Sequence, residues 1–388
     1  MSDDFIAFAP PDIGDQEVAA VVDALRSGWV TRGPRCAQFE EAAQALVQAP
    51  AALAVNSGTA AMHLALEAAG IGPGDEVIVP AMTFCSTALV VEHVRATPVL
   101  VDVEVDTLNI DPTAVERAIT PKTRAIMPVH FAGHPVDLDA IHALAQAHGL
   151  LVLEDAAHAI GAAWRGAPIG SGPNPVAFSF YATKNLCTGE GGLLTGSDEL
   201  VARARLLSLH GMDRDAWRRY ERGGRWRYDV AASGWKYNMT DIQAALGLVQ
   251  LERFEQMQAA RRTVVSWYRE RLAGAATGDL LSLPSERPDV IHAWHLFVIQ
   301  LNLAALKIDR DAVIEQMSAA GIGTSVHFIP LHQHSHFRDT HGWQASDVPV
   351  CEVAADRVLS LPLHPRLQEN QVDRVCDALL DILERGRR

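Results

Sequence analysis

The chain has no run of apolar residues long enough to span a bilayer, and it opens Met1-Ser2-Asp3-Asp4, acidic where a secretory leader would be basic. It also lacks the surplus of Lys and Arg that marks a nucleic-acid protein, since the formal net charge is −14. Cysteine is sparse. The five cysteines, at 36, 85, 187, 351 and 376, are odd in number, scattered and without CxxC spacing. That argues against a disulfide framework or a zinc site and suits a reduced cytoplasm. There is no internal repeat and no low-complexity tract. What is present, 388 residues of which 48% are hydrophobic and 21% charged, suffices for a large core divided between two domains. These features predict a soluble cytoplasmic protein with neither nucleic-acid nor membrane partners.

The first 50 residues carry an arm and two helical patterns, 16–26 and 36–47, joined by Gly28-Trp29-Val30-Thr31-Arg32-Gly33-Pro34, a shaped loop rather than a flexible linker. From residue 51 short apolar runs at 52–55, 76–80, 99–101, 125–129 and 150–153 alternate with helical patterns. Those patterns reach residue 69 from Asn56 and cover 83–94, 112–119 and 138–148. Apolar strands separated by helices predict a mostly parallel sheet covered on both faces. After a helix at 199–210 and a charge-dense loop at 211–237, a long helical region at 240–272 ends at a glycine- and proline-marked boundary. The predicted division is 1–272, an arm with a large cofactor-binding α/β domain, and 273–388, a smaller α+β domain. The latter has strands at 293–301 and 324–328 and helices at 310–320 and 368–384.

The stretch 178–192, Phe-Ser-Phe-Tyr-Ala-Thr-Lys-Asn-Leu-Cys-Thr-Gly-Glu-Gly-Gly, organises the rest. Residues 176–181 read as a buried strand, and Lys184 follows where it ends, with Gly189, Gly191 and Gly192 making the next turn permissive. Open α/β sheets bind ligands outside the carboxyl ends of their strands. A lysine partly buried there loses its charge readily and can form a Schiff base with a carbonyl, although a lysine after a strand is ordinarily a solvated surface residue. Cys187, with no histidine near it in sequence, reads as structural.

Other strand ends supply further groups. Ser57-Gly58-Thr59 opens a helix, where free N–H groups and the dipole favour a phosphate, and where a simple N-cap is the plainer alternative. Asp155 ends the strand at 150–153, placed either to cap a helix or to serve a ligand. His158 follows three residues on, sharing its face if the segment is helical. Phe84 lies just past Pro80, a core residue or a stacking one, and Ser179 can offer a hydroxyl to the same phosphate. Together these are the parts pyridoxal phosphate requires: a lysine for the aldehyde, a carboxylate for the pyridine nitrogen and a cradle for the phosphate.

At this point the chain resembles the DegT/StrS-type sugar aminotransferases, fold-type I pyridoxal-phosphate enzymes, almost end to end. The resemblance rests on Asn56-Ser-Gly-Thr-Ala, Val79-Pro-Ala-Met-Thr-Phe84, Pro128-Val-His-Phe-Ala-Gly133, Glu154-Asp-Ala-Ala-His158 and Phe178-Ser-Phe-Tyr-Ala-Thr-Lys184-Asn, and further on Gly234-Trp-Lys-Tyr-Asn-Met-Thr-Asp-Ile-Gln-Ala-Ala-Leu246 and Gly323-Thr-Ser-Val-His-Phe-Ile-Pro-Leu331. It implies a seven-stranded, mostly parallel sheet. It also implies that Lys184, Asp155 and His158 are catalytic, with Lys184 binding the aldehyde and shuttling a proton. Phe84 would stack on the ring, and Ser57, Gly58, Thr59 and Ser179 would hold the phosphate. Asn238 matches a position that reaches the phosphate from the neighbouring subunit, so a homodimer with shared sites is implied. Relatives with histidine at the lysine position perform dehydration; this chain keeps Lys184.

The same resemblance implies L-glutamate as donor and a nucleotide-linked keto sugar as acceptor. The segment 324–332 resembles members acting at C4 of UDP- or dTDP-linked 4-keto sugars. Trp29, Thr31, Lys236 and His327 are the candidate substrate contacts. Eight arginines against three acids within 203–227 would attract a diphosphate, or form a solvated basic face. Amination of a 3-keto sugar or keto cyclitol, elimination, and a cofactor-holding regulatory protein without turnover are the alternatives. His332, His334 and His336 alternate like ligands on a strand, but Pro330 and the absence of nearby Cys or paired acids argue against a metal, and none is expected.

Overall fold

The computed structural model describes residues 5–212, 228–273 and 280–388. Strands Thr97–Val101, Glu76–Pro80, Thr123–Ile126 and Leu151–Val152 pair in parallel in that order. After one residue the chain continues as Glu154–Asp155, which pairs in parallel with Val176–Ser179. Gly192–Gly196 runs antiparallel between Val176–Ser179 and Ala51–Val55. The two four-stranded ladders share the interrupted strand 151–155 and so make seven strands, all parallel but one.

Alternate side chains of each strand enter different apolar clusters. Ile78, Ile126, Val152, Phe178 and Leu193 face one side, under helices Pro34–Val47, Leu138–His148 and Asp241–Glu252. Val77, Ala125, Leu153, Ala177 and Leu194 face the other, under Gly58–Ala68, Ser86–His93 and Asp198–Leu207. Burial on both faces is why these strands read as unbroken apolar runs rather than as alternation. The carboxyl ends of the parallel strands all meet one edge of the sheet, and the chain leaves that edge at Asn56, Ala81, Met127, Ala156 and Phe180.

A third cluster contains Tyr268, Phe297, Leu359, Val372 and Leu379. It surrounds the antiparallel strands Leu281–Ser282, Phe297–Leu301 and Val358–Leu361 and the helices Arg310–Ala319 and Glu369–Arg385. Ile6 of the N-terminal arm joins this cluster and bridges Ile322.

The structure corrects several sequence expectations. The long helix predicted at 240–272 is two, Asp241–Glu252 and Phe254–Leu272. Arg253 leaves the helical path (φ −95°, ψ 0°) and binds Asp12 and Glu17 at 2.6 and 2.5 Å, anchoring the arm. Residues 324–328 form no regular strand. Only Ser325 pairs, with Ser360, and the segment delivers His327 and Phe328 to a cavity. The helix predicted from 83 begins at Ser86, which leaves Thr83 and Phe84 on that same cavity. Gly192 opens a central strand, not a turn. A Cβ there would lie 2.4 Å from the Ser57 backbone, so the close approach of strand to helix start requires glycine. His332, His334 and His336 do not alternate on a strand. His332 bonds Glu352 at 2.7 Å and His336 bonds Glu92 at 2.8 Å, two carboxylates on different helices. Among the described residues no group of three or more potential ligands could hold a metal.

Candidate active site

A cavity of about 330 Å³ opens at the carboxyl edge of the sheet, of the size usual for small-molecule sites. Its wall brings together nine of the residues singled out in the sequence: Ser57, Gly58, Thr59, Phe84, Asp155, His158, Ser179, Lys184 and His327. They come from five separate stretches, four of them at strand ends.

Lys184 arrives on a turn just past Val176–Ser179, its N–H donating to the Tyr181 carbonyl at 2.9 Å. No hydrogen bond or ion pair holds its amine among the described residues. Burial disfavours the ammonium and pushes its pKa down to about 8, with the Asp155 charge opposing the shift. Asp155 is 4% exposed. Its Oδ2 accepts the Thr87 hydroxyl at 2.8 Å, which is 2.8 Å from the Thr83 hydroxyl, and its Oδ1 accepts the Ala157 N–H at 3.1 Å. Burial nevertheless raises the carboxyl pKa, and the two donors and the Lys184 charge pull against that rise. Such a group favours a cationic partner brought into the cavity.

Below it, His130 locks the strand end. Its Nδ1 accepts the Val136 N–H at 3.1 Å, its Nε2 lies 2.9 Å from the Glu154 carboxylate, and its backbone N–H donates to the Asp155 carbonyl at 3.1 Å. His158 does not continue a helix, as its face-sharing with Asp155 presupposed; residues 156–162 form successive turns. Its ring stacks on Phe328 at 5.7 Å, and its buried Nδ1 has no partner among the described residues. Burial holds His158 and His295 neutral far below their usual range, and pushes His327 down to about 4. The cavity therefore carries neutral imidazoles beside the Lys184 amine and the carboxyls of Asp155 and Glu190.

Ser57 is the N-cap of Gly58–Ala68, its hydroxyl accepting the Ala60 N–H at 3.0 Å. The N–H groups of Gly58 and Thr59 make no hydrogen bond to another described residue and face the cavity at the positive end of the helix dipole. Any Cβ on residue 58 would stand 3.0 Å from the Ser179 Cβ, so glycine keeps this cradle open. Phe84 is 57% exposed, unlike a core aromatic, and its ring tilts toward Phe328 at 6.1 Å. These features fit pyridoxal phosphate: unpaired N–H groups for its phosphate, an unpaired amine for its aldehyde and a buried carboxyl for its ring nitrogen.

Trp29, Thr31, Lys236 and Asn238 are not on this wall. They form a second group. The Asp241 carboxylate accepts the N–H groups of Gly33, Arg35 and Cys36 at 2.7, 3.1 and 3.0 Å, and its own N–H donates to the Thr31 carbonyl at 2.8 Å. The shaped loop is thereby tied to the segment in which Lys236 donates to Asn238 Oδ1. Trp29 is 47% exposed. The arginine-rich stretch begins on Asp198–Leu207, where Arg205 is bound to Glu40 at 2.9 Å, and its part at 213–227 lies outside the described residues. Sequence reading missed His295, Phe328 and Thr87. Thr87 lies four residues after Thr83, a spacing that puts both on one face of the helix expected from 83 and could have flagged it; the other two carry no local signal.

The match to known proteins is extensive. The model of the DegT/DnrJ/EryC1/StrS aminotransferase family matches residues 11–380. SpsC of Bacillus subtilis, a spore coat polysaccharide biosynthesis protein, is 47% identical over 385 residues, 98% of this chain and 97% of its own length. Spr1654 of Streptococcus pneumoniae, assigned as a sugar aminotransferase and solved in a PMP form, superimposes with a TM-score of 0.91 at 34% identity, over 98% of this chain and 100% of its own. DesV of S. venezuelae, solved with a ketimine intermediate, gives 0.86 at 38% identity, over 95% and 94% of the two chains. The chain is a fold-type I protein and belongs to the DegT/DnrJ/EryC1/StrS aminotransferase family.

Proposed function

We propose that the chain is a pyridoxal-phosphate-dependent aminotransferase moving an amino group from L-glutamate to a nucleotide-linked keto sugar, a UDP- or dTDP-linked 4-keto-6-deoxy sugar or a similar 4-keto sugar. The observation that carries this reading is the unpaired Lys184 amine, with a pKa near 8, in one cavity with a buried carboxyl and a free helix N-terminus. The names of SpsC and Spr1654, a polysaccharide biosynthesis protein and a sugar aminotransferase, support a sugar as acceptor.

Pyridoxal phosphate supplies, when bound, an aldehyde that takes up the amino group and an aromatic ring that withdraws electrons. Lys184 binds that aldehyde through its neutral amine and afterwards holds and returns the proton at Nζ. Asp155 holds the ring nitrogen protonated, oriented by Thr87 and the Ala157 N–H. Gly58, Thr59 and the Ser179 hydroxyl take the phosphate, with Ser57 capping the helix beneath it. Phe84 and His158 confine the ring, and His327 faces the substrate. Trp29, Thr31, Lys236 and Asn238 act on the cavity of a second copy, so the working unit is a homodimer with shared sites, cytoplasmic in location. Residues 1–272 form the cofactor-binding domain and 273–388 the smaller one, against which the arm docks.

The test is the visible spectrum of the protein with pyridoxal phosphate, followed through L-glutamate and then individual keto-sugar nucleotides. Absorbance that glutamate bleaches and one 4-keto sugar restores supports the reading. Restoration only by a 3-keto sugar or a keto cyclitol redirects the acceptor, and absorbance that glutamate leaves unchanged contradicts aminotransfer.

A further inference from the structure

Asn185, next to Lys184, is 3% exposed and its amide is fully engaged. Its Nδ2 donates to the Ala293 carbonyl at 2.6 Å and to Gln258 Oε1 at 2.9 Å. Gln258 Nε2 donates to the same carbonyl at 3.0 Å. A carbonyl oxygen only accepts, so both amide nitrogens must face it, and flipping either amide would set oxygen against oxygen. That leaves Asn185 Oδ1 as the acceptor for His295 Nδ1, 3.1 Å away. Nδ1 of His295 therefore carries the hydrogen. With the imidazole held neutral by burial, Nε2 is a bare lone pair.

His295 lines the same cavity as Lys184. Its Nε2 has no partner among the described residues, yet it is not among the sealed, unpartnered buried atoms, as Nδ1 of His158 is. It therefore opens onto the cavity, and the centroids of the His295 and His158 rings are 4.4 Å apart. A fixed lone pair discriminates between ligands by chemistry. The carboxylates of an amino-acid donor only accept hydrogen bonds and are repelled by it, whereas sugar hydroxyls donate.

We infer that His295 is a substrate-contacting residue whose Nε2 accepts a hydrogen bond from a hydroxyl of the keto sugar, with Asn185 and Gln258 as positioning residues that fix its tautomer. This rests on the sugar aminotransfer reading above and goes beyond it in naming a determinant of acceptor recognition. Gln258 sits on Phe254–Leu272 and does not line the cavity, so the relay carries a constraint from that helix to the site.

The experiment separates the two half-reactions of the cofactor-loaded enzyme by stopped-flow absorbance, with L-glutamate in one direction and dTDP-4-keto-6-deoxyglucose in the other. In His295→Leu the second-order rate constant of the sugar step falls about tenfold more than that of the glutamate step, the effect of one buried donor left unpaired. Gln258→Leu shows the same selectivity at about threefold, because the Asn185 amide then keeps only one of the two acceptors that hold its nitrogen. Histidine-selective ¹⁵N spectra of the cofactor-loaded wild-type protein, with His295 identified by its absence in the variant, show Nδ1 protonated and Nε2 bare. Equal losses in both steps, or in neither, overturn the inference, and so does an Nε2-protonated His295 whatever the substrate. A wild-type protein that glutamate fails to bleach overturns the aminotransfer reading instead, a result separate from the other two.

Discussion

Two groups of residues differ in how the fold uses them. The first, from Ser57 to His327, converges on one cavity because parallel strands end at one edge of the sheet, and whatever follows those ends is gathered there. The second, Trp29, Thr31, Lys236 and Asn238, is equally well anchored, through Asp241 and its three N–H donors, but it is not on that wall. A single chain thus builds a cavity with an amine, a carboxyl and a phosphate cradle, and holds four further polar or aromatic side chains elsewhere. The difference teaches that anchoring and site membership are separate properties. Trp29 is anchored and 47% exposed yet lies off that wall, so the homodimer proposed above is where it would meet a cavity.

The largest expected effect tests the first group alone. Lys184→Ala removes the only amine that the described residues place on the cavity wall, and turnover falls at least about 10,000-fold while the unfolding transition is retained. Turnover within tenfold of wild type would dissolve the distinction between the groups, because neither would then be catalytic.

A smaller effect sharpens the electrostatics of that group. The neutral Lys184 amine is the form that attacks an aldehyde, and its pKa lies near 8. Below that value the neutral fraction falls with each added proton. The rate at which cofactor-free protein gains visible absorbance on mixing with pyridoxal phosphate should therefore rise about tenfold per pH unit from 6 to about 8 and flatten above it. A rate that still climbs as steeply at pH 10 would place the amine in ordinary solvent and contradict its burial.

The smallest effect concerns the packing that positions the cradle. Gly192→Ala sets a Cβ 2.4 Å from the Ser57 backbone, and the strand or the helix start must shift. About 1–3 kcal/mol of stability is lost in denaturant unfolding, together with tighter cofactor binding, while the second group stays in place. Unchanged stability would mean that the strand and helix can separate freely.

Much of the first group is legible in the sequence because its signals are local. Lys184 and Asp155 each stand where an apolar run stops, and Ser57-Gly58-Thr59 stands where a helical period starts. All six parallel strands are recoverable for the same reason. The antiparallel strand Gly192–Gly196 is not, because its opening glycines look like a turn when the neighbour that demands them is Ser57, far away in the chain. The break at Arg253 is hidden because the apolar period runs through it, and only the distant Asp12 and Glu17 draw that residue off the helix. His295 is invisible for a similar reason, since its role depends on Asn185 and Gln258, each remote in sequence. The second group was named from a shaped loop and from resemblance to a family, and no local rule says which cavity it serves.

Subunit mixing is the measurement that bears most directly on that point. Asn238→Ala protein and Lys184→Ala protein, each weak or inactive alone, are combined under conditions that exchange subunits, with exchange verified by a mass tag. If Asn238 serves the neighbour's cavity, each mixed dimer contains one site with both residues intact, and activity rises toward half the wild-type value per dimer. If activity stays at the sum of the two separate variants although mixed dimers have formed, Asn238 serves its own chain and the shared site is wrong.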